Sequence, residues 1–325
     1  IAFIPQAAVA ADPTDPGVRM METVRFLASP EMLGRGLGTP ELDRAAEYIA
    51  REFEAVGLLP GGDKTGSWYE EWTDPETGVK MRNVIGLLPG RNPEFNGQSV
   101  VIGAHYDHLG MKSVKPGEPA LMHPGADDNA SGVAVLLDAV RSISLKLEPE
   151  RTIVFAAFTG EETGRKGSRW YVTNHKQYPA SKCIGMINLD TVGRLGRNKL
   201  IVLNGNSAKE WPDMFGEIGK TLDMEIVVSN QDLDASDQKS FHDAGVPAVQ
   251  LFSGPHKDYH KPTDIAGRID EKGLKKISVV ARAAVLYLAN LPGPLTSTLS
   301  PQAAQSPSSR SERKVTMGII PDFTH

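Results

Sequence analysis

The sequence predicts an α/β fold: an α/β/α sandwich around a largely parallel, mixed central sheet, folded as a single domain over residues 13–290. Three observations predict it. From Asn83 onward, short apolar runs of strand length alternate with stretches of helical pattern, the order that builds a sheet with helices on both faces. His, Asp and Glu residues follow the ends of several of these runs, where the functional sites of such sheets gather. The bulk numbers agree, since 325 residues with 40% hydrophobic and 23% charged content suffice for a substantial core in one large domain or two smaller ones.

In chain order, residues 1–12 read IAFIPQAAVAAD, an apolar stretch with Ala8-Val9-Ala10 in the small-x-small form of a cleavage site. The segment has the form of a signal-peptide remnant without its basic n-region, and it sets the expectation of a secreted or periplasmic protein. Segment 39–57 is predicted helical. Thr39 supplies the N-cap, Pro40 suits the first turn, Leu42, Ala45, Ala46, Ile49, Phe53 and Val56 give an apolar face, and Gly57 stops it. Strand-like runs follow at 99–104, 152–158, 184–189, 200–203, 226–228 and 248–252, with helical stretches at 131–145, 166–174 and 271–290. Residues 291–312, rich in Pro, Ser, Thr and Gln, have the composition of a linker that does not pack. Residues 313–325 contain KVTMGIIPDF, whose apolar and β-branched content predicts a strand. A net charge of −5 argues against nucleic acid as a partner. No apolar run approaches the roughly 20 residues of a membrane span. The single cysteine, Cys183, cannot form an intrachain disulfide.

The chemistry-bearing residues cluster at run ends. His105 and Asp107 follow the run 99–104, and a two-residue spacing in extended chain points both side chains the same way. Taken alone, His-x-Asp is weak and fits a solvated turn better. GADDNASG at 125–132 leads into an apolar helix. Capping would explain one acidic residue there more easily than the whole cluster, and a carboxylate at this place can bridge two cations. The run 152–158 ends in Thr159-Gly160-Glu161-Glu162-Thr163-Gly164; in an extended segment the two glutamates would point oppositely, one to a metal and one to a water. Asp190 ends the run 184–189, and an acidic residue at a buried strand end is costly unless it is paired or bound to a cation. His260 follows the run 248–252. Each alone is weak; their convergence at separate strand ends is the signal. Oxygen and imidazole donors suit zinc, cobalt or manganese.

These motifs resemble the M28 family of co-catalytic zinc peptidases, which includes bacterial secreted aminopeptidases. The resemblance spans roughly Val18 to Asn290 and rests on HYDH at 105–108, GADDNASG at 125–132, GEETG at 160–164, NLD at 188–190, SDQKSF at 236–241 and YHKPTD at 259–264. The stretch RFLASPEMLGRGLGTPELDRAAEYIAREFEAVGL also resembles the family's leading helices. By this resemblance His105 and Asp190 hold one zinc ion, Glu162 and His260 hold a second, and Asp128 bridges them, with Asp127 the competing choice. Glu161 would be the general base, Asp107 would orient His105, and Tyr259 would donate a hydrogen bond to the tetrahedral intermediate. The implied activity is hydrolysis of N-terminal residues from a peptide substrate, with Glu161 moving a proton from water to the leaving amine.

Two departures stand out. Gln238 follows Asp237 where family members often carry histidine, and the span from Tyr69 to Met81 is too short for the protease-associated domain that some relatives insert. In some relatives a segment like KVTMGIIPDF opens a PDZ-like domain, so residues 313–325 are expected to begin one. The rivals are a glutaminyl cyclase, which uses one zinc, and a non-catalytic binding protein on the same fold; the full set of five ligand positions with Glu161 disfavours both.

Overall fold

The computed structural model describes residues 14–115, 117–144, 148–231 and 236–300. The leader-like segment 1–12 and the strand-like segment 313–325 lie outside them. Two helices come first, α1 (Pro16–Leu27) and α2 (Pro40–Ala55). The Thr39 hydroxyl caps α2 by accepting the Leu42 N–H at 3.3 Å, and Leu42, Ala45, Ala46, Ile49 and Phe53 are buried along one stripe. The strands are β1 (Leu59–Pro60), β2 (Tyr69–Thr73), β3 (Lys80–Leu88), β4 (Ser99–His105), β5 (Gly110–Ser113), β6 (Ala120–His123), β7 (Thr152–Phe158), β8 (Cys183–Leu189), β9 (Leu200–Leu203), β10 (Ile226–Val228) and β11 (Ala248–Phe252). The later helices are α3 (Gly132–Ser144), α4 (Lys166–Asn174), α5 (Trp211–Leu222), α6 (Gln238–Asp243) and α7 (Glu271–Ala289).

Among the described residues nine strands form one sheet in the order β1-β3-β7-β4-β8-β11-β9-β10, with β2 also on β3. The centre, β7-β4-β8-β11, is parallel, while β3 joins β7 and β9 joins β11 antiparallel. The sheet is therefore mixed, as the sequence predicts. Every residue of these four central strands is buried, which is why they read as unbroken apolar runs rather than alternating ones. Alternate side chains serve opposite faces. Val100, Ile102 and Ala104 of β4 and Ile153, Phe155 and Ala157 of β7 join the larger core layer with α1, α2, α3, α5 and α7. Val101, Val154, Ala156 and Phe158 join the smaller layer with Tyr171 of α4 and Phe241 of α6.

The short span before Met81 holds only an antiparallel hairpin, β2 with β3, in keeping with its length. Two expectations change. The linker expected from residue 291 does not begin there: Leu295 is buried in the larger core, and the backbone of Lys209 donates to Thr296 and that of Thr298 to Ser207, each at 3.1 Å. One large apolar side chain anchors a segment whose composition reads as non-packing. The second change is a two-stranded hairpin, β5 with β6, between His108 and Gly125, where no strand is expected.

Candidate metal centre

Because β7, β4, β8 and β11 are parallel neighbours, their carboxyl ends meet at one edge of the sheet and each feeds a loop to one place. The register makes this specific. His105 lies opposite Phe158 of β7, three residues before Glu161. On the other side Gly103 pairs with Asn188, which brings Asp190 level with His105. Leu251 of β11 pairs with Leu189, so the chain carrying His260 crosses the same edge.

Two groups of three donor atoms converge there, each within 4.8 Å: His105 with Asp128 and Asp190, and His108 with Asp128 and Glu162. His105 Nε2 is 3.3 Å from Asp128 Oδ1 and 3.5 Å from Asp190 Oδ1. His260 Nε2 is 3.0 Å from Asp128 Oδ2 and 3.3 Å from Glu162 Oε2. Donors held tetrahedrally at zinc bond lengths of ~2.0–2.2 Å lie about 3.3 Å apart, so these spacings fit a shared ion in each group. His105 Nε2, Asp128 Oδ2 and Asp190 Oδ1 are buried with no hydrogen-bond partner among the described residues, as donors kept for a cation would be. His108 differs. Its Nδ1 sits 2.7 Å from Glu162 Oε1 and 3.9 Å from Asp128 Oδ2, a hydrogen bond that fixes one carboxylate oxygen while Oε2 faces His260.

The electrostatics follow from this crowding. Burial alone would push the His105 imidazole down, but the Asp190 charge and contacts with Asp107, Asp128 and Asp190 hold it well above its usual range. Burial opposes the His260 shift too, yet Asp128 and Glu162 raise it to about 10. Burial and Asp128 would raise Glu162, and the neighbouring His108 and His260 bring it down to about 2. Asp190 is raised, chiefly by burial. The half-exposed Tyr259 stacks on the His260 ring at 3.9 Å. Burial of its hydroxyl and the carboxylates of Asp128, Glu162, Asp190 and Glu161 keep its proton bound well above the ordinary phenol range.

The two neighbouring aspartates separate cleanly. Asp128 faces His105 and His260, whereas Asp127 Oδ1 accepts the Gly193 N–H at 2.5 Å and the Ser131 hydroxyl at 3.0 Å, with Oδ2 2.9 Å from His256 Nε2. Asp107 lies beside its expected partner His105 and binds others as well. Its carboxylate is 3.7 Å from His105 Nδ1, which bonds the Asp107 main-chain carbonyl at 3.2 Å; the carboxylate accepts the N–H groups of Glu161 at 3.1 Å and Glu162 at 3.3 Å. Residues 160–164 form a tight turn rather than an extended segment, with Gly164 N–H donating to the Glu161 carbonyl at 2.9 Å. Sequence reasoning assigned no role to His108 or Asp264, although both lie inside quoted motifs. Asp264 Oδ2 accepts the N–H groups of Asp127 and Asp128 at 2.9 and 3.1 Å, and Arg194 ties Asp264 Oδ1 to Asp258 Oδ2 at 3.3 and 3.4 Å. The available signal was the second histidine of HYDH, three residues after the first.

A family model described as Peptidase family M28 matches residues 83–285. Leucine aminopeptidase 1 of Trichophyton rubrum is 38% identical over 155 residues, which cover 46% of this chain and 38% of that protein. The chain thus spans well under half the length of that relative. Among solved structures, the aminopeptidase from Aneurinibacillus sp. strain AM-1 superimposes with a TM-score of 0.67 at 21% identity, covering 89% of this chain and 97% of that one. The glutaminyl cyclase of Porphyromonas gingivalis also reaches 0.67, at 18% identity over 82% of this chain and 97% of its own.

Proposed function

The chain belongs to peptidase family M28, and from that premise we propose that it is a metallo-aminopeptidase holding two divalent cations, zinc by donor chemistry, and removing N-terminal residues from peptides. The observation that carries the reading is Asp128, whose two oxygens face two separate donor sets. In this reading His105 and Asp190 serve one ion and Glu162 and His260 the other. When bound, the cations supply Lewis-acid activation of water and of the scissile carbonyl.

The chain's own residues do the remainder. Glu161, buried beside the ligand Glu162, takes a proton from water and returns it to the leaving amine. Asp107 holds the backbone of both glutamates and so fixes the base relative to the ligand. Tyr259 keeps its proton and donates to the oxyanion that forms at the carbonyl. The excess of carboxylates at the strand ends favours a substrate's free α-ammonium over a carboxylate, which supports aminopeptidase rather than carboxypeptidase action.

Similarity of fold favours neither an aminopeptidase nor a cyclase, because both kinds of structure superimpose equally well. The donor set favours two ions and hence the aminopeptidase. Zinc-loaded protein should release the chromophore from leucine p-nitroanilide and leave the N-acetylated compound intact. Equal hydrolysis of both, or cyclisation of an N-terminal glutamine peptide in place of cleavage, would overturn the reading.

A further inference from the structure

The turn Leu33–Gly36 lies before the stretch that the family model matches, yet it is built into the metal centre. Leu33, Gly34 and Arg35 all have left-handed backbone, with φ of 42°, 72° and 50°, a conformation uncommon for residues with side chains. Contacts on both sides hold it. His108 N–H donates to the Arg35 carbonyl at 3.1 Å and Gly110 N–H to the Gly34 carbonyl at 3.0 Å. A Cβ at Gly34 would sit 2.3 Å from the His123 carbonyl oxygen. The turn is therefore packed against the base of the β5–β6 hairpin, where Gly110 pairs with His123, and against the backbone of the HYDH segment.

The Arg35 side chain is fully buried, and its donors go to main-chain carbonyls of three segments. Nε reaches Tyr106 at 2.9 Å, Nη1 reaches Pro124 at 2.9 Å and also Leu27, and Nη2 reaches Gly125 at 3.0 Å. Tyr106 lies between His105 and Asp107; Pro124 and Gly125 open the segment that ends at Asp128. Among the described residues Arg35 forms no ion pair at contact distance, but the charges of Asp107, Asp128, Asp264 and Glu162 act on it. Burial lowers its pKa to about 10 and those carboxylates oppose the shift, so it stays cationic at neutral pH. A buried cation of this kind is tolerable because the surroundings are anionic. Its planar fork can grip carbonyls on separate segments at once, which a single ammonium nitrogen cannot reproduce.

We propose that Arg35 is a positioning residue of the dinuclear centre: it ties the loop carrying His105 to the loop carrying Asp128 through their carbonyls and places one fixed positive charge beneath the carboxylates. Asp264 holds the same Asp128 loop through its N–H groups, so the bridging residue is gripped from both backbone polarities. The proposal rests on the two-ion reading above.

The test compares Arg35→Met and Arg35→Lys with Arg151→Met. Arg151 is a second buried arginine, at the opposite end of β7, bonding Gln98 and the Leu291 carbonyl over the Phe95 ring. Each purified variant is titrated with zinc against a chelator, and its cobalt(II) visible spectrum and thermal transition are recorded. Arg35→Met should bind zinc about 10- to 100-fold more weakly and change the cobalt spectrum, with Arg35→Lys intermediate. Arg151→Met should lower the melting temperature while leaving affinity and spectrum as in the wild type. An Arg35→Met protein with wild-type affinity and spectrum overturns the proposal. So does failure of both Arg35 variants to fold with zinc present, which would make the residue a structural one. A wild type that binds two cobalt ions but cleaves no aminoacyl substrate would sink the peptidase reading and leave this comparison decisive.

Discussion

At the scale of single residues, neighbours of identical chemistry hold different positions because the backbone aims them differently. Glu161 and Glu162 show this most sharply: Glu162 faces His108 and His260, while the N–H of Glu161 donates to Asp107. Glu161→Gln should keep the full metal content while turnover falls by about two to four orders of magnitude, the loss expected when proton transfer is removed without a ligand. Glu162→Gln should instead lose metal. Metal analysis beside steady-state kinetics checks both, and a reversal would exchange the two roles. Protonation gives a second residue-level outcome. In the metal-free protein the carboxylates hold His105 and His260 protonated above neutral pH, and a ligating imidazole must be neutral, so cation uptake at pH 7 should release about two protons per chain. Since both values are raised, the release should persist as pH climbs through neutrality, and the His260 share should fade as pH passes about 10. Calorimetry in buffers of different ionisation enthalpy reads the number; no release would contradict the assignment of these histidines. The motif residues were legible in the sequence because they follow strand ends or, for Asp128, open a helix in an acidic cluster. His108 and Arg35 were not, since one acts through a ligand's second oxygen and the other through carbonyls far along the chain.

At the scale of elements, the parallel central strands were legible because burial on both faces leaves a continuous apolar run. The helix α2 showed through its cap and stripe. The β5–β6 hairpin was not, because Met111, Lys112 and Ser113 face Ala120, Leu121 and Met122 with most of these side chains exposed, leaving no buried face to impose alternation. The junction from Asp128 into α3 depends on close approach at Gly132. A Cβ there would lie 2.3 Å from Asn129 Oδ1 and 2.4 Å from the Leu189 carbonyl oxygen. Asn129 Oδ1 accepts the Gly132 N–H at 2.9 Å, and its Nδ2 donates to that same Leu189 carbonyl at 2.8 Å. Gly132→Ala should therefore push α3 from β8 and dislodge the residue after Asp128. A destabilisation of about 1–3 kcal/mol is expected from overpacking, with weaker zinc binding, read by urea denaturation of the metal-free protein and by chelator competition. Unchanged stability would show that the junction relaxes freely.

At the scale of the whole molecule, the fold brings four separate loops to one edge of the sheet, and the body closes over its other end with the segment after α7. Composition hid that closure, because a lone Leu295 among polar residues and prolines carries no periodicity. Truncation after Leu291 removes Leu295 from the core and the hydrogen bonds of residues 296 and 298, so it should lower the melting temperature; Leu295→Ala should cost about 2 kcal/mol or more. An unchanged transition in both would restore the linker reading. The account as a whole turns on a centre in which one carboxylate serves two cations. Metal content after dialysis against buffered zinc, measured for the wild type and for Asp128→Ala, Asp190→Ala and Glu162→Ala, tests it most directly. The predicted result is close to two ions in the wild type, about one in each of the Asp190 and Glu162 variants, and near none for Asp128→Ala. A wild type that holds a single ion, or an Asp128→Ala protein that keeps both, would contradict it.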